Sequence, residues 1–133
     1  MTTQDDAARI LRRMDAPDAG HDSNLTLTVE AADGCVILHA AGEIDVVTAP
    51  RLQDELEQLI ARHPGSVMIV DLTEVGFLAS AGLAVLMRSS ELDERSRFMV
   101  VASGPATVRP LELTGLSDAL DVHATVEAAM ATV

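Results

Sequence analysis

Residues 67–83 read VMIVDLTEVGFLASAGL, and this stretch decides the fold that the sequence predicts. Its first part, Val67 to Val70, is a continuous apolar run, which is typical of a strand buried on both faces of a sheet. Asp71 ends the run, and after a short loop a helix is predicted from about Ala81 to Leu92. Ser80 lies between strand and helix, at the position expected for the N-cap, where a side chain is exposed beside free backbone N–H groups.

The sequence before this stretch predicts an antiparallel hairpin followed by a helix. Apolar and polar residues alternate from Leu25 to Glu30, as in a half-buried strand, and a turn at residues 32–34 leads to a second strand from Cys35 to Ala40. Thr48 is a suitable N-cap for the helix, which stops at residues 63–65. A strand, a helix and a further buried strand together indicate a parallel crossover.

The sequence after the stretch continues the same alternation of strands and helices. It predicts a buried strand over residues 98–102, a short or kinked helix that contains Pro110, an edge strand over residues 119–123 and a closing helix over residues 125–131. The predicted fold class is therefore α/β, with a mixed four- to five-stranded β-sheet flanked by about four helices.

Length and charge limit the classes of function. The 133 residues suit one domain, which we predict over residues 23–133, after an acidic tail at residues 1–22 that is either flexible or docked as a short helix. The net charge is −12, from 9 basic residues, all arginine, and 21 acidic ones. This charge argues against binding to nucleic acid or to an anionic membrane and favours partners with basic patches.

Signals for secretion, metal binding and catalysis are missing from the sequence. No run approaches the roughly 20 apolar residues of a membrane span, and the N-terminus lacks the layout of a signal peptide, so a cytoplasmic location is expected. Cys35 is the only cysteine and is expected to be buried. The four histidines are scattered, and the residues around Ser80 lack the first glycine of a nucleophile elbow. We therefore expect no metal, no cofactor and no enzymatic activity.

Two segments carry a resemblance to a known family. One is Gly42-Glu43-Ile44-Asp45 with Thr48 and Ala49 after it, and the other runs from Asp71 to Leu83. With the order of elements and the Leu-Thr-Gly-Leu sequence at residues 113–116, they resemble the STAS domain of bacterial anti-sigma factor antagonists. The resemblance covers roughly residues 25 to 131.

The resemblance implies a mechanism called partner switching. An anti-sigma factor, itself an ATP-dependent serine kinase, holds a sigma factor inactive, and the unmodified antagonist binds the anti-sigma factor and releases the sigma factor. Phosphorylation of one serine of the antagonist breaks the complex, and a serine phosphatase resets it. In the family pattern that serine stands at Ser80.

The same resemblance suggests which residues contact the partner. It carries Asp45 and Thr48 over as interface residues, together with the neighbours of Ser80, which are Leu78, Ala79, Ala81, Gly82 and Leu83. Alternatives remain open: Ser80 and Thr48 can be ordinary helix caps, and Asp45 can be a solvated loop acid. Ala79 departs from the family, which usually has aspartate before the serine. A STAS domain can also be a ligand-sensing or scaffold module that phosphorylation does not regulate.

Overall fold

A computed structural model of the chain describes residues 12–13, 24–32 and 34–133. Within these residues, six strands form one mixed sheet, and their order in space is their order in the chain. The strands are β1 (Arg12–Arg13), β2 (Leu25–Ala32), β3 (Cys35–Ile44), β4 (Val67–Leu78), β5 (Arg97–Val101) and β6 (Asp121–His123). The first three strands pair antiparallel, whereas β3 to β6 are parallel.

Five described helices lie on the two faces of this sheet. They are α1 (Ala49–Arg62), α2 (Ser80–Ser90), α3 (Pro105–Leu113), α4 (Leu116–Ala119) and α5 (Val126–Met130). The hairpin, the parallel crossover through α1 and the short helix around Pro110 are all confirmed. The four-residue helix α4 was not predicted.

Most of the core lies between the sheet and helices α1, α2 and α3. Leu38, Leu56, Val70 and Leu86 come from two strands and two helices, and each is 0 % exposed. They are buried because one face of each helix carries its apolar residues at helical spacing. This packing fixes α1 and α2 next to each other on the sheet.

The opposite face of the sheet carries a smaller apolar cluster under α5. It contains Cys35, Ile69, Met99, Val101 and Ala129. Cys35 is 6 % exposed, as predicted, and burial is the main reason that the pKa of its thiol is raised. A buried thiol with a raised pKa is a packing residue.

Strand β4 is longer than the sequence indicated. It does not end at Asp71 but runs to Leu78, and register shifts in its pairing with β3 accommodate the extra length. The strand can continue through a charged residue because the Asp71 carboxylate finds hydrogen-bond partners on the sheet surface, including the Thr73 hydroxyl at 2.8 Å. The parallel pairing of Ile44 with Leu78 brings the ends of β3 and β4 to one edge.

The predicted tail at residues 1–22 lies outside the described residues, apart from Arg12 and Arg13. These two residues pair with Val29 and Thr28 at the edge of β2. The boundary between tail and domain stays a prediction. No helix in the described part of the chain is long and apolar enough to cross a bilayer.

Candidate functional site: the surface around Ser80

Ser80 is the first residue of α2, and its side chain is exposed. The prediction that Ser80 is the N-cap is wrong: the N-cap is Ala79, whose extended backbone (φ −88°, ψ 171°) turns the chain from β4 into the helix. The carbonyl of Ala79 accepts from the N–H groups of Gly82 and Leu83, at 2.9 and 3.1 Å. Within the described residues the Ser80 hydroxyl has no hydrogen-bond partner, so it supports no structure there and is available for chemistry.

The loop between β3 and α1 is held by a set of short hydrogen bonds. The Asp45 carboxylate accepts from the N–H groups of Val47 and Thr48, at 2.9 and 3.0 Å, and the bond from Thr48 contributes most to lowering the pKa of Asp45. The Thr48 hydroxyl accepts from the N–H of Asp45 and donates to the carbonyl of Glu43, both at 2.9 Å. Asp45 is therefore a structural residue of a fixed loop and not simply a solvated acid.

Gly82 allows this loop and the start of α2 to touch. A Cβ at Gly82 would lie 2.8 Å from the Cδ1 atom of Leu78 and closer still to the Cγ2 atom of Ile44. The N–H of Ala79 also donates to the carbonyl of Ile44, at 2.9 Å. The two motifs of the sequence thus meet in space, and the glycine is required because only a hydrogen fits between them.

Burial divides the sequence-predicted site residues into two groups. Asp45, Ala79 and Ala81 are partly exposed beside Ser80. The others are buried: Thr48, Leu78, Gly82 and Leu83. Of these, the side chains of Leu78 and Leu83 belong to the core. The side chains of Leu78 and Leu83 fill the interior under Ser80, and Thr48 braces the loop from within. The contribution of these residues to partner binding stays a prediction.

The apolar side chains that do reach solvent near Ser80 are ones that the sequence reasoning missed. Val46 and Val47, in the fixed loop, are 74 % and 64 % exposed, and Phe77, near the end of β4, is 50 % exposed. The sequence did contain one signal for these exposed side chains, which is a pair of adjacent valines in a polar loop. Val46 lines a groove together with Ala81, the neighbour of Ser80, and we call Val46, Val47, Ser80 and Ala81 the Ser80 surface. Exposed apolar side chains such as these two valines are typical of a protein-binding site.

Comparison with known proteins identifies the family. The sequence profile of the STAS domain matches residues 26–129. The chain is 36 % identical to the anti-sigma-F factor antagonist RsfB of Mycobacterium tuberculosis over 88 % of this chain and 92 % of that protein. The chain belongs to the STAS-domain family of anti-sigma factor antagonists. The α/β fold class and the family resemblance are thereby confirmed.

Two further relatives agree with this assignment. The anti-sigma-B factor antagonist of Listeria monocytogenes is 32 % identical over 74 % of this chain and 89 % of its own length. The crystal structure of an anti-sigma factor antagonist from Mycobacterium paratuberculosis superposes with a TM-score of 0.78 at 39 % identity, covering 89 % of this chain and 97 % of that chain.

Ala79 leaves helix α2 of this STAS domain without a side-chain cap, and restoring one should stabilise the fold. We expect Ala79→Asp to raise the free energy of unfolding by about 1 kcal/mol, because the extended backbone at residue 79 suits an N-cap carboxylate that accepts from the N–H of Ala81 or Gly82. Urea unfolding measures the change. Ala79→Asn is the uncharged control, and an unaltered midpoint in both variants would contradict the cap geometry.

A charged cluster lies on the sheet face opposite α1 and α2. His39 Nδ1 lies 2.7 Å from Asp71 Oδ2, and His39 Nε2 lies 2.7 Å from Glu30 Oε1. The hydrogen bond to Asp71 is the main reason that the pKa of His39 is raised to about 9. Burial alone would raise the pKa of Asp71, but the bonds from His39 and Thr73 outweigh it and lower that pKa. The cluster joins β2, β3 and β4.

This cluster predicts a pH dependence of stability. The pKa of His39 rises from 6.5 to about 9 on folding. Protonated His39 therefore stabilises the folded state fully below about pH 6.5, and this stabilisation is lost as the pH rises to about 9. Between about pH 6 and pH 9.5, we expect the free energy of unfolding of wild type to fall by about 1.5 kcal/mol more than that of His39→Gln. This figure is lower than the full pKa shift would give, because the His39 side chain is 35 % exposed and water screens its charge. Urea unfolding measures both proteins. Equal losses in both proteins would contradict the cluster.

Proposed function

We propose that the chain is an anti-sigma factor antagonist: it binds an anti-sigma factor, thereby releases a sigma factor, and is switched off by phosphorylation of Ser80. The observation that carries this proposal is the Ser80 hydroxyl, which is exposed on an apolar surface and unused by the fold. Its relatives in Mycobacterium and Listeria bear the name of antagonist, which supports the same role here.

The partner in this proposal is an ATP-dependent serine kinase. Such a partner covers the Ser80 surface and brings ATP to the serine. The hydroxyl oxygen bonds to the γ-phosphorus as the bond to the bridging oxygen breaks, ADP leaves, and a base of the kinase takes the hydroxyl proton. A phosphoserine carries about two negative charges and three acceptor oxygens. The start of α2 tolerates this charge within the domain, because the first N–H groups of a helix point towards it.

Phosphorylation acts on the complex rather than on the fold. A partner seated on Val46 and Ala81 would have to remove water from the new phosphate, and burying an unpaired charge is costly. The complex therefore dissociates, and a serine phosphatase restores the binding form. The proposal assigns the chain no catalysis, no cofactor and no contact with nucleic acid or membrane, and it places the chain in the cytoplasm, where sigma factors act.

Ala79 affects how the kinase recognises Ser80, and hence the rate of phosphorylation. The carboxylate that the family usually carries at this position is absent, so the kinase meets an apolar methyl group next to Ser80. We propose that the kinase of this chain recognises the serine through the apolar Ser80 surface rather than through a neighbouring acid.

Binding is tested with purified anti-sigma factors from the genome that encodes this chain. Each is titrated with the wild-type chain by calorimetry in the presence of a nucleotide. The proposal expects one of them, the cognate anti-sigma factor, to bind with a Kd in about the micromolar range or tighter. If none of them binds, the antagonist role is wrong and a ligand-sensing or scaffold role takes its place.

A further inference from the structure

An apolar groove runs between α1 and α2 and begins beside Ser80. Its volume is about 400 Å³. Val46 and Ala81 lie at the end next to Ser80, and Ala84 lines the α2 wall further along. At the far end Arg88 Nη2 donates to Gln53 Oε1 at 2.9 Å.

Small side chains keep this groove open. Ala49 of α1 and Ala81 and Ala84 of α2 occupy facing positions where larger residues would fill the space between the two helices. Ala84 is exposed, so its methyl group contributes little to the core. The groove is therefore mainly apolar, shallow and accessible.

The groove is continuous with the Ser80 surface. Ala81 and Val46 belong to both, and Val46 is 74 % exposed at the point where they join. Asp54 lies on the α1 wall of the groove and is exposed. A partner that covers Ser80 thus meets, without a break, a recess that fits apolar side chains, with Asp54 on one wall and Arg88 at the far end.

From this continuity we infer that the α1–α2 groove is a second docking site for the anti-sigma factor, which inserts an apolar segment. This inference rests on the proposed function. The groove anchors the partner while the kinase acts on Ser80, and its contribution to affinity is separate from the effect of phosphorylation.

The test fills the groove and measures affinity for the cognate anti-sigma factor. Ala84→Arg places a long side chain in the groove, and Ala61→Arg adds the same charge at an exposed position of α1 outside it. We expect Ala84→Arg to raise the Kd at least about tenfold relative to Ala61→Arg, with melting temperatures close to wild type. If Ala84→Arg fails to fold, Asp54→Arg, with Glu57→Arg as its control outside the groove, tests the α1 wall of the groove instead.

The outcomes separate the inference from the proposed function. If wild type binds no anti-sigma factor, the proposed function fails and the inference fails with it. If wild type binds and Ala84→Arg binds as tightly as Ala61→Arg, the groove inference alone is wrong. If light scattering shows a dimer that Ala84→Arg dissociates while partner binding is unchanged, the groove receives a second copy of this chain, which also overturns the inference.

Discussion

Ser80→Glu is expected to weaken binding of the cognate anti-sigma factor at least about a hundredfold, whereas Ser80→Ala binds like wild type. The glutamate adds an unpaired charge to the surface that contains Val46 and Val47, and the partner would have to remove water from that charge. Both variants should unfold close to the wild-type midpoint, because Ser80 is exposed, caps nothing and stands where a helix accepts an acid.

Calorimetric titration measures this effect, and Ser103→Glu is the matched control. Ser103 is exposed just before α3 and is not part of the Ser80 surface, so its substitution adds the same charge outside that surface. Equal affinities of Ser80→Glu and Ser103→Glu would show that only net charge matters, and the Ser80 surface would then not be the interface.

Gly42→Ala is expected to lower the free energy of unfolding by about 3 kcal/mol or more. Gly42 has a φ of 116°, a backbone conformation that residues with a side chain rarely adopt. A Cβ at this position would collide with the carbonyl oxygen of Asn24. The same carbonyl accepts from the N–H of Glu43 at 2.7 Å, so the collision would also disturb the start of the loop that carries Asp45.

Urea unfolding checks this prediction against two other glycines. Gly65 has a φ of 79° but open space around a Cβ, so Gly65→Ala isolates the backbone strain, about 1 kcal/mol. Gly76 has neither restriction, and Gly76→Ala should be nearly neutral. If Gly42→Ala is as stable as Gly65→Ala, or more stable, the close contact with Asn24 is contradicted.

The sequence predicted the fold well because its signals are local. The run from Val67 to Val70 predicts a buried strand whatever surrounds it, and Pro110 shortens a helix through its own chemistry. The length of β4 could not be predicted, because one of the partners that satisfy Asp71 comes from another strand. His39 is 32 residues away in the chain and opposite Asp71 in the sheet.

The composition of the Ser80 surface was harder to predict than its position. Leu78 and Leu83 are close to Ser80 in sequence, and only the packing shows that they point inward. Irregularities in the pairing of β3 with β4, between His39 and Ala41 and between Gly42 and Glu43, shift the alternation of inward and outward residues. A sequence alone does not fix where such a shift occurs, so the exposure of the Phe77 side chain was not predicted.

The central claim is that Ser80 is the phosphate acceptor of the switch. The most direct measurement incubates the purified chain with its cognate anti-sigma factor, ATP and magnesium, then maps phosphorylated peptides by mass spectrometry while following the complex by size-exclusion chromatography. The account predicts one phosphate, on Ser80, and dissociation of the complex as it accumulates. A complex that persists with Ser80 unmodified, or a phosphate placed elsewhere in the chain, would contradict it.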